Sequence, residues 1–266
     1  MDSDKIFITK FDTTAQYNAA KDSLAKPHVS LTKDDGKLHY MKELSVTVTI
    51  NITQTSSATP ICNNTENVTN IIIDGEDIGN VVEKYSFSTT GIHTIKFLLS
   101  TVEISDEMFY GAEIWTEMDD YEPMWPQIPI TTAVMSDGIT IIGSNAFADC
   151  HSLSSVTIGN YVNTIDSFAF EECPGLSSIT FPKSVKTIRY NTLRCEYYTS
   201  SLSSIICLGT TPPSIFGSTF SNTNNCPIFV PDESVNAYKT AANWSTYASR
   251  IHAMSDYDDF FADESL

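Results

Sequence analysis

The side chains that could do acid–base, nucleophilic or metal chemistry are 5 histidines, 6 cysteines and 33 carboxylates. The histidines are far apart in the sequence, at His28, His39, His93, His151 and His252. The sequence has no Gly-x-Ser-x-Gly elbow, no His-Glu-x-x-His helix and no phosphate-binding glycine loop. Because carboxylates are so numerous, a pair with the spacing of glycosidase residues could be chosen by chance and does not indicate a glycosidase. We therefore expect no catalytic residue, no cofactor and no enzymatic activity.

The cysteines could form disulfides or remain as buried thiols, and they are Cys62, Cys150, Cys173, Cys195, Cys207 and Cys226. No Cys-x-x-Cys pair occurs, so a zinc site of the finger or ribbon kind is not expected. The N-terminus shows no basic segment followed by an apolar one, so no export signal is visible. Since disulfides persist in oxidising compartments, we expect reduced thiols.

A repeat of 23 residues positions these side chains. Residues 142–150 match residues 165–173 in the spacing of Ile, Phe and Cys, and a third turn keeps Ile188 and Leu193 in phase. The pattern then slips by three residues to Leu202. A fixed period of this length is typical of stacked repeats, in which each unit buries its apolar face against its neighbours.

The repeat region is predicted to span residues 101–209. Ile104 and Phe109 have the spacing of Ile142 and Phe147, at an offset of 38 that equals one repeat plus a 15-residue insertion at 112–126. The inward-facing side chains, which should form columns, are predicted to be Phe109, Phe147, Leu153, Val156, Ile158, Ile165, Phe170, Leu176, Ile179, Phe181, Ile188 and Leu193.

The motif Cys-x-x-Leu-x-x-Val/Ile-x-Ile/Phe, followed by Val-x-x-Ile-x-x-x-x-Phe, resembles the BspA-like leucine-rich repeats of Bacteroides-type bacteria and their phages. The resemblance covers roughly residues 101–252. It implies a non-catalytic binding or structural module. The expected fold is mainly β with short helices, a leucine-rich repeat solenoid closed by a helical cap at 210–252. In that cap Val235, Tyr238, Trp244, Tyr247 and Ile251 cover the last coil.

Two smaller units precede the repeats. Residues 45–100 alternate apolar and polar side chains in four strand candidates, including a hairpin of Tyr85 with Ile92–Phe97, which predicts a small immunoglobulin-like sheet or sandwich. Residues 1–44 predict a strand, a helix and a hairpin of 28–32 with Leu38–Met41, too small to be stable alone. This arm must dock on the rest of the chain or on another protein. It is similar to the N-terminal arms of Bacteroides-phage virion proteins, so we expect docking on another protein through Phe7, Phe11, Tyr17, Leu24, Leu31 and Tyr40.

Two segments are candidates for an interaction. The insertion carries Trp115, Tyr121, Met124 and Trp125 among acidic residues, and these side chains either form an interface or pack back on the adjoining sheet. The tail, residues 253–266, alternates acids with Tyr257, Phe260 and Phe261 and is either solvated or docked on a partner.

The formal net charge of −18 argues against nucleic-acid binding, which needs a basic face. No apolar run is long enough for membrane insertion. The leading expectation is a structural protein of a phage particle, attached to other virion proteins by its arm and displaying the repeats toward a host protein or glycan. The alternative is a bacterial cell-surface adhesin or binding module, and a homo-oligomer is left open.

Overall fold

The computed structural model describes residues 7–11, 38–41, 44–55, 58–111 and 128–258. These residues form short β-strands, one α-helix named α1 (Val235–Thr240), and 3₁₀ turns at Asp232–Ser234, Trp244–Arg250 and Met254–Asp256. The expected fold class, mainly β with short helices, is confirmed for this part of the chain.

At the N-terminus, strand β1 (Phe7–Phe11) pairs antiparallel with β2 (Leu38–Met41), and Phe11 lies opposite Leu38. Residues 28–32, which the sequence suggested as the hairpin partner of Leu38–Met41, lie outside the described residues. Within the described residues this ribbon joins no other sheet. Of the predicted arm residues, Phe7, Phe11 and Tyr40 lie in the ribbon, whereas Tyr17, Leu24 and Leu31 lie outside the described residues. The docking role remains a prediction.

A six-stranded sheet follows. It runs in the order β12-β10-β3-β8-β5-β6. Its strands are β3 (Ser45–Ile52), β5 (Val68–Ile73), β6 (Glu76–Asp77), β8 (Gly91–Leu99), β10 (Ile130–Met135) and β12 (Ser155–Thr157). Val46, Val48 and Ile50 on β3 are fully buried on one face, as their alternation predicts.

Of the sheet or sandwich predicted for residues 45–100, the structure has a sheet, and this sheet is not separate from the repeats. The free edge of β3 pairs with β10, so this unit and the first repeat strand share one continuous sheet. The predicted hairpin around residues 85–97 is wrong. β7 (Lys84–Tyr85) pairs with β4 (Thr59–Pro60), because β8 has both of its edges occupied by β3 and β5.

The repeats place their strands in two parallel ladders. The first ladder is β9 (Glu103–Ile104), β11 (Ile141–Ile142), β13 (Thr164–Ile165), β15 (Thr187–Ile188) and β17 (Ser214–Ile215). The second continues from β10 and β12 to β14 (Ser178–Phe181), β16 (Ser204–Cys207), β18 (Ile228–Val230) and β19 (Ile251–Ala253). A hydrogen bond of 3.3 Å from the Ser177 N–H to the Ser154 carbonyl carries this ladder from β12 to β14.

The strand register agrees with the spacing of the sequence. Ile142 lies opposite Ile104 across the 38-residue offset, and Ile179 lies opposite Ile205 across the three-residue slip. Ile251, expected to belong to a helical cap, instead begins β19 and lies opposite Ile228, which is 23 residues earlier. The array therefore has a further strand that the sequence reading missed.

Phenylalanines stack through the repeats. The ring centroids of Phe109 and Phe147 are 5.0 Å apart, and those of Phe147 and Phe170 are 5.4 Å apart with an interplanar angle of only 10°. All twelve side chains predicted to face inward are buried, the most exposed being Val156 at 9%. Packed columns of this kind bury the apolar face that one unit cannot bury alone.

The cysteine thiols join successive repeats. The Cys150 thiol donates to the Phe109 carbonyl and the Cys173 thiol to the Phe147 carbonyl, each at 3.0 Å. All six cysteines are buried and none is in a disulfide. Burial raises the pKa of the Cys150 and Cys173 thiols, so they stay protonated and can donate.

Side-chain and backbone donors cover both ends of the first ladder. Before β9, the Asn63 backbone N–H donates to the Met108 carbonyl at 2.7 Å and the Asn64 amide donates to the Asp106 carbonyl at 3.0 Å. Beyond β17, the Asn243 amide donates to the Ile215 carbonyl at 2.6 Å and the Trp244 indole N–H donates to the Pro213 carbonyl at 2.7 Å. These bonds satisfy backbone carbonyls near the ladder's ends that have no further strand to pair with.

Candidate interaction surface

In each repeat the chain passes from a strand of the first ladder to the next strand of the second ladder through a short connection. Leu176 follows Glu172 by four positions, whereas Leu202 follows Cys195, which takes the place equivalent to Glu172, by seven. The structure thus places the slip of the repeat in residues 196–201. The insertion found in the sequence leaves at Gly111 and the chain returns at Ile128, so it belongs to the same connection of an earlier repeat.

Hydrogen bonds to buried side chains fix the backbone of the longer connection at 196–201. The Glu172 carboxylate, which is only 4% exposed, accepts hydrogen bonds from the backbone N–H of Glu196 at 2.5 Å and of Tyr197 at 3.2 Å. The Cys195 thiol donates to the Tyr198 carbonyl at 3.1 Å. The Tyr197 side chain nevertheless remains 81% exposed. A buried carboxylate with charge-assisted hydrogen bonds fixes the backbone that presents this ring.

Tyr198 extends across a neighbouring repeat. Its ring centroid lies 4.4 Å from that of His151, which is two repeats earlier. The repeat between them contributes Gly175, where a Cβ atom would lie 2.8 Å from the His151 carbonyl oxygen. Because that distance is too short for a side chain, glycine allows the two repeats to approach closely at this place.

Charged groups border these rings. The Arg194 guanidinium lies 3.3 Å from the Glu171 carboxylate and also pairs with Glu196. Burial raises the pKa of Glu171 to about 7. The Arg194 guanidinium lowers this pKa, and the negative charge of the neighbouring Glu172 raises it further. The surface is therefore aromatic and acidic, and its one arginine, Arg194, is paired with carboxylates. We name it the tyrosine edge and define it by His151, Glu171, Arg194, Glu196, Tyr197 and Tyr198.

The residues predicted to form an interface are only partly described. Trp115, Tyr121, Met124 and Trp125 lie outside the described residues, as do Phe260 and Phe261, and their role remains a prediction. Tyr257 is described, and its ring packs edge-on against Phe229 with centroids 4.8 Å apart, so it contacts this chain itself. Tyr197 and Tyr198 were missed, although the slip beside two adjacent tyrosines was a signal.

In the described part of the chain, no group of three or more His, Cys, Asp or Glu side chains is placed to hold a metal ion. Across the same residues, no helix has both the length and the hydropathy needed to cross a bilayer.

Replacing Glu172 by glutamine is expected to lower the free energy of unfolding by about 1–3 kcal/mol, because a neutral amide cannot accept every hydrogen bond that the carboxylate accepts. Amide hydrogen exchange at Glu196 and Tyr197 should accelerate, and denaturant unfolding gives the energy. Glu171→Gln is the matched control, since its partly exposed ion pair contributes little. Equal effects of the two substitutions would contradict the anchoring role of Glu172.

Comparisons with known proteins bear on the repeat region. A family model described as the BspA type leucine rich repeat region matches residues 42–119 and 124–248, in six copies. A crystal structure of a leucine rich cell surface protein from Faecalibacterium prausnitzii A2-165 is 20% identical over 54% of this chain and 34% of that chain, with a TM-score of 0.38. A leucine-rich repeat protein from Bacteroides capillosus ATCC 29799 is 24% identical over 41% of this chain and 79% of that chain, with a TM-score of 0.27.

This chain spans about a third of the length of the first of these structures. Among curated proteins, none matches it significantly. The family match itself covers well over half of the sequence and includes the strands of both ladders up to β18. On the strength of that match, this protein belongs to the BspA-type leucine-rich repeat family.

Proposed function

We propose that this chain is a non-enzymatic binding protein that holds a partner protein on the tyrosine edge. The observation that carries the proposal is the pair Tyr197 and Tyr198, the first largely exposed and both on a connection whose backbone is anchored by a buried carboxylate. Tyrosine is enriched among the residues that dominate binding energy at protein interfaces. A surface that is rigid before binding loses less entropy when its partner arrives.

The position of the surface supports the same reading. Insertions in repeat arrays map to one face, which is often the binding face. Here the connection of residues 196–201 and the insertion after Gly111 leave the array at equivalent places of the repeat. The acidic character of the tyrosine edge and the net charge of −18 favour a protein partner over a nucleic acid.

Photo-crosslinking tests this proposal and identifies the partner. A photoreactive phenylalanine analogue at position 197 is expected to yield one discrete crosslinked species from phage particles or bacterial host extract. The same analogue at Ile92, which is 64% exposed on the six-stranded sheet, should yield none. With the captured partner purified, Tyr197→Ala with Tyr198→Ala should weaken binding at least about 30-fold, the effect of one hot-spot residue.

Tyr190→Ala is the matched control, since Tyr190 is 51% exposed and lies two residues after β15, outside the segment 196–201 whose backbone Glu172 anchors. A loss of affinity as large for this control as for the double variant would contradict the tyrosine edge as the site.

Two settings for this binding follow from the sequence. One is a phage particle that the chain joins through residues 1–44, and the other is a bacterial cell surface. The first is supported by the β1–β2 ribbon in that segment, which among the described strands joins neither the six-stranded sheet nor the ladders. Mass spectrometry of purified particles and of host membrane fractions distinguishes the two, since the chain should be enriched in only one of them.

A further inference from the structure

A groove of about 650 Å³ lies away from the tyrosine edge, between the turn at 182–186 and the turn at 208–213. These turns connect a strand of the second ladder to the next strand of the first ladder. The volume is within the range of small-molecule binding sites, about 300–1,000 Å³. The proposed protein interaction does not use this groove.

The groove is open because the turn at 208–213 is longer than the turn at 182–186 and two of its residues have no backbone N–H that could bond to it. Phe181 lies opposite Cys207 and Thr187 lies opposite Ser214, so the later turn has one residue more than the earlier one. Backbone hydrogen bonds join the two turns near their ends. The Leu208 N–H donates to the Phe181 carbonyl at 2.9 Å, and the Ser214 N–H donates to the Lys186 carbonyl at 2.8 Å. Between these bonds the chain contains two prolines, 212 and 213, which have no N–H to donate.

Two lysines on the wall of the groove have no carboxylate partner among the described residues. Lys183 and Lys186 form no ion pair with any described residue, whereas Arg189 pairs with Asp166 and Arg194 with an acid of the tyrosine edge. They lie three positions apart on one turn of a chain whose net charge is −18. They make the groove locally cationic, which favours an anionic ligand.

The rest of the lining is suited to a sugar. The hydroxyls of Thr210, Thr211 and Ser214 accept and donate no hydrogen bond within the described residues, so they are available to ligand hydroxyls. Leu208, which is 37% exposed, and the adjacent prolines give an apolar wall. Such a wall suits the C–H face of a pyranose ring.

We propose that this groove binds an anionic saccharide, a sugar that carries a carboxylate or a sulfate. The acid group pairs with Lys183 and Lys186, the sugar hydroxyls bond to the threonines and the serine, and the ring packs on the leucine and proline wall. A neutral sugar lacks the first set of interactions, and an inorganic anion lacks the other two. This site goes beyond the protein interaction proposed above and can fail independently of it.

The test is a titration of the isotope-labelled full chain, followed by backbone NMR shifts. The probes are a digalacturonate, a sulfated disaccharide, the neutral disaccharide lactose and inorganic sulfate. We expect shifts concentrated at residues 183–186 and 208–214, and at least about tenfold tighter binding of one acidic disaccharide than of lactose or inorganic sulfate. The stronger of the two acidic probes tells whether the acid is a carboxylate or a sulfate.

Lys183→Gln with Lys186→Gln should weaken that binding about tenfold. Lys84→Gln with Lys96→Gln changes the net charge equally on the six-stranded sheet and its neighbouring ribbon, and it should leave binding unchanged. The proposal is overturned if lactose or inorganic sulfate binds as tightly as the acidic sugars. It is also overturned if none of the probes binds, or if the control pair loses as much affinity as the lysines of the groove.

Discussion

Replacing Phe147 by alanine is expected to lower the free energy of unfolding by about 3–5 kcal/mol. Phe147 is fully buried, and its ring lies between those of Phe109 and Phe170. The strands on both sides are fixed by ladder hydrogen bonds, so the cavity left by the ring cannot collapse, and the cost should reach the upper part of the range. Urea unfolding followed by circular dichroism measures it.

Tyr197→Ala serves as the matched control for this substitution. It removes a ring of similar size from a side chain that is 81% exposed, and it should change stability by less than about 0.5 kcal/mol. A loss at Phe147 no larger than the loss at Tyr197 would show that the stacked phenylalanines do not support the repeats.

The second large effect is expected at Trp244, where substitution by alanine should cost about 3–5 kcal/mol. The side chain is fully buried, and its ring centroid lies 4.8 Å from that of Tyr238 and 5.4 Å from that of Phe220. Its indole N–H donates to the Pro213 carbonyl next to β17, so the loss also leaves a buried acceptor unsatisfied. Exposure of β17, the last strand of the first ladder, should then promote association between copies of the protein.

Thermal unfolding and light scattering check this prediction together. Trp244→Phe keeps most of the buried area but removes the indole N–H, and it should cost about 1–3 kcal/mol, less than alanine. Ser245→Ala, at an exposed neighbour, should have little effect on stability. An alanine variant that unfolds at the temperature of the parent protein and stays monomeric would contradict the covering role of Trp244.

The repeat register could be predicted because it depends on local spacing alone. One period of 23 residues fixes which isoleucines lie opposite each other, and even the 38-residue offset and the three-residue slip could be assigned from Ile104 and Ile205. An apolar side chain at a fixed offset has the same inward environment in every copy, so its burial follows from its position. β19 was the exception, since Ile251 stands alone without the motif around it.

Features that depend on contacts between distant segments could not be predicted. The pairing of β3 with β10 joins residues about 80 positions apart, and nothing in either strand names its partner. The anchoring of residues 196–201 depends on the Glu172 carboxylate, which in the sequence is one acid among 33. The groove depends on a one-residue difference between two turns, which is visible only once the flanking strands are aligned.

The identical register of successive repeats has a consequence for how this chain can evolve. Duplication or deletion of one whole unit within residues 141–188 would leave Asn63, Asn64, Asn243 and Trp244 in place at the two ends. Each such event would change the separation of those ends by one strand spacing, about 4.8 Å. Descendants of this gene can therefore differ in the length of the ladder by whole strand spacings, while the residues that cover its two ends stay the same.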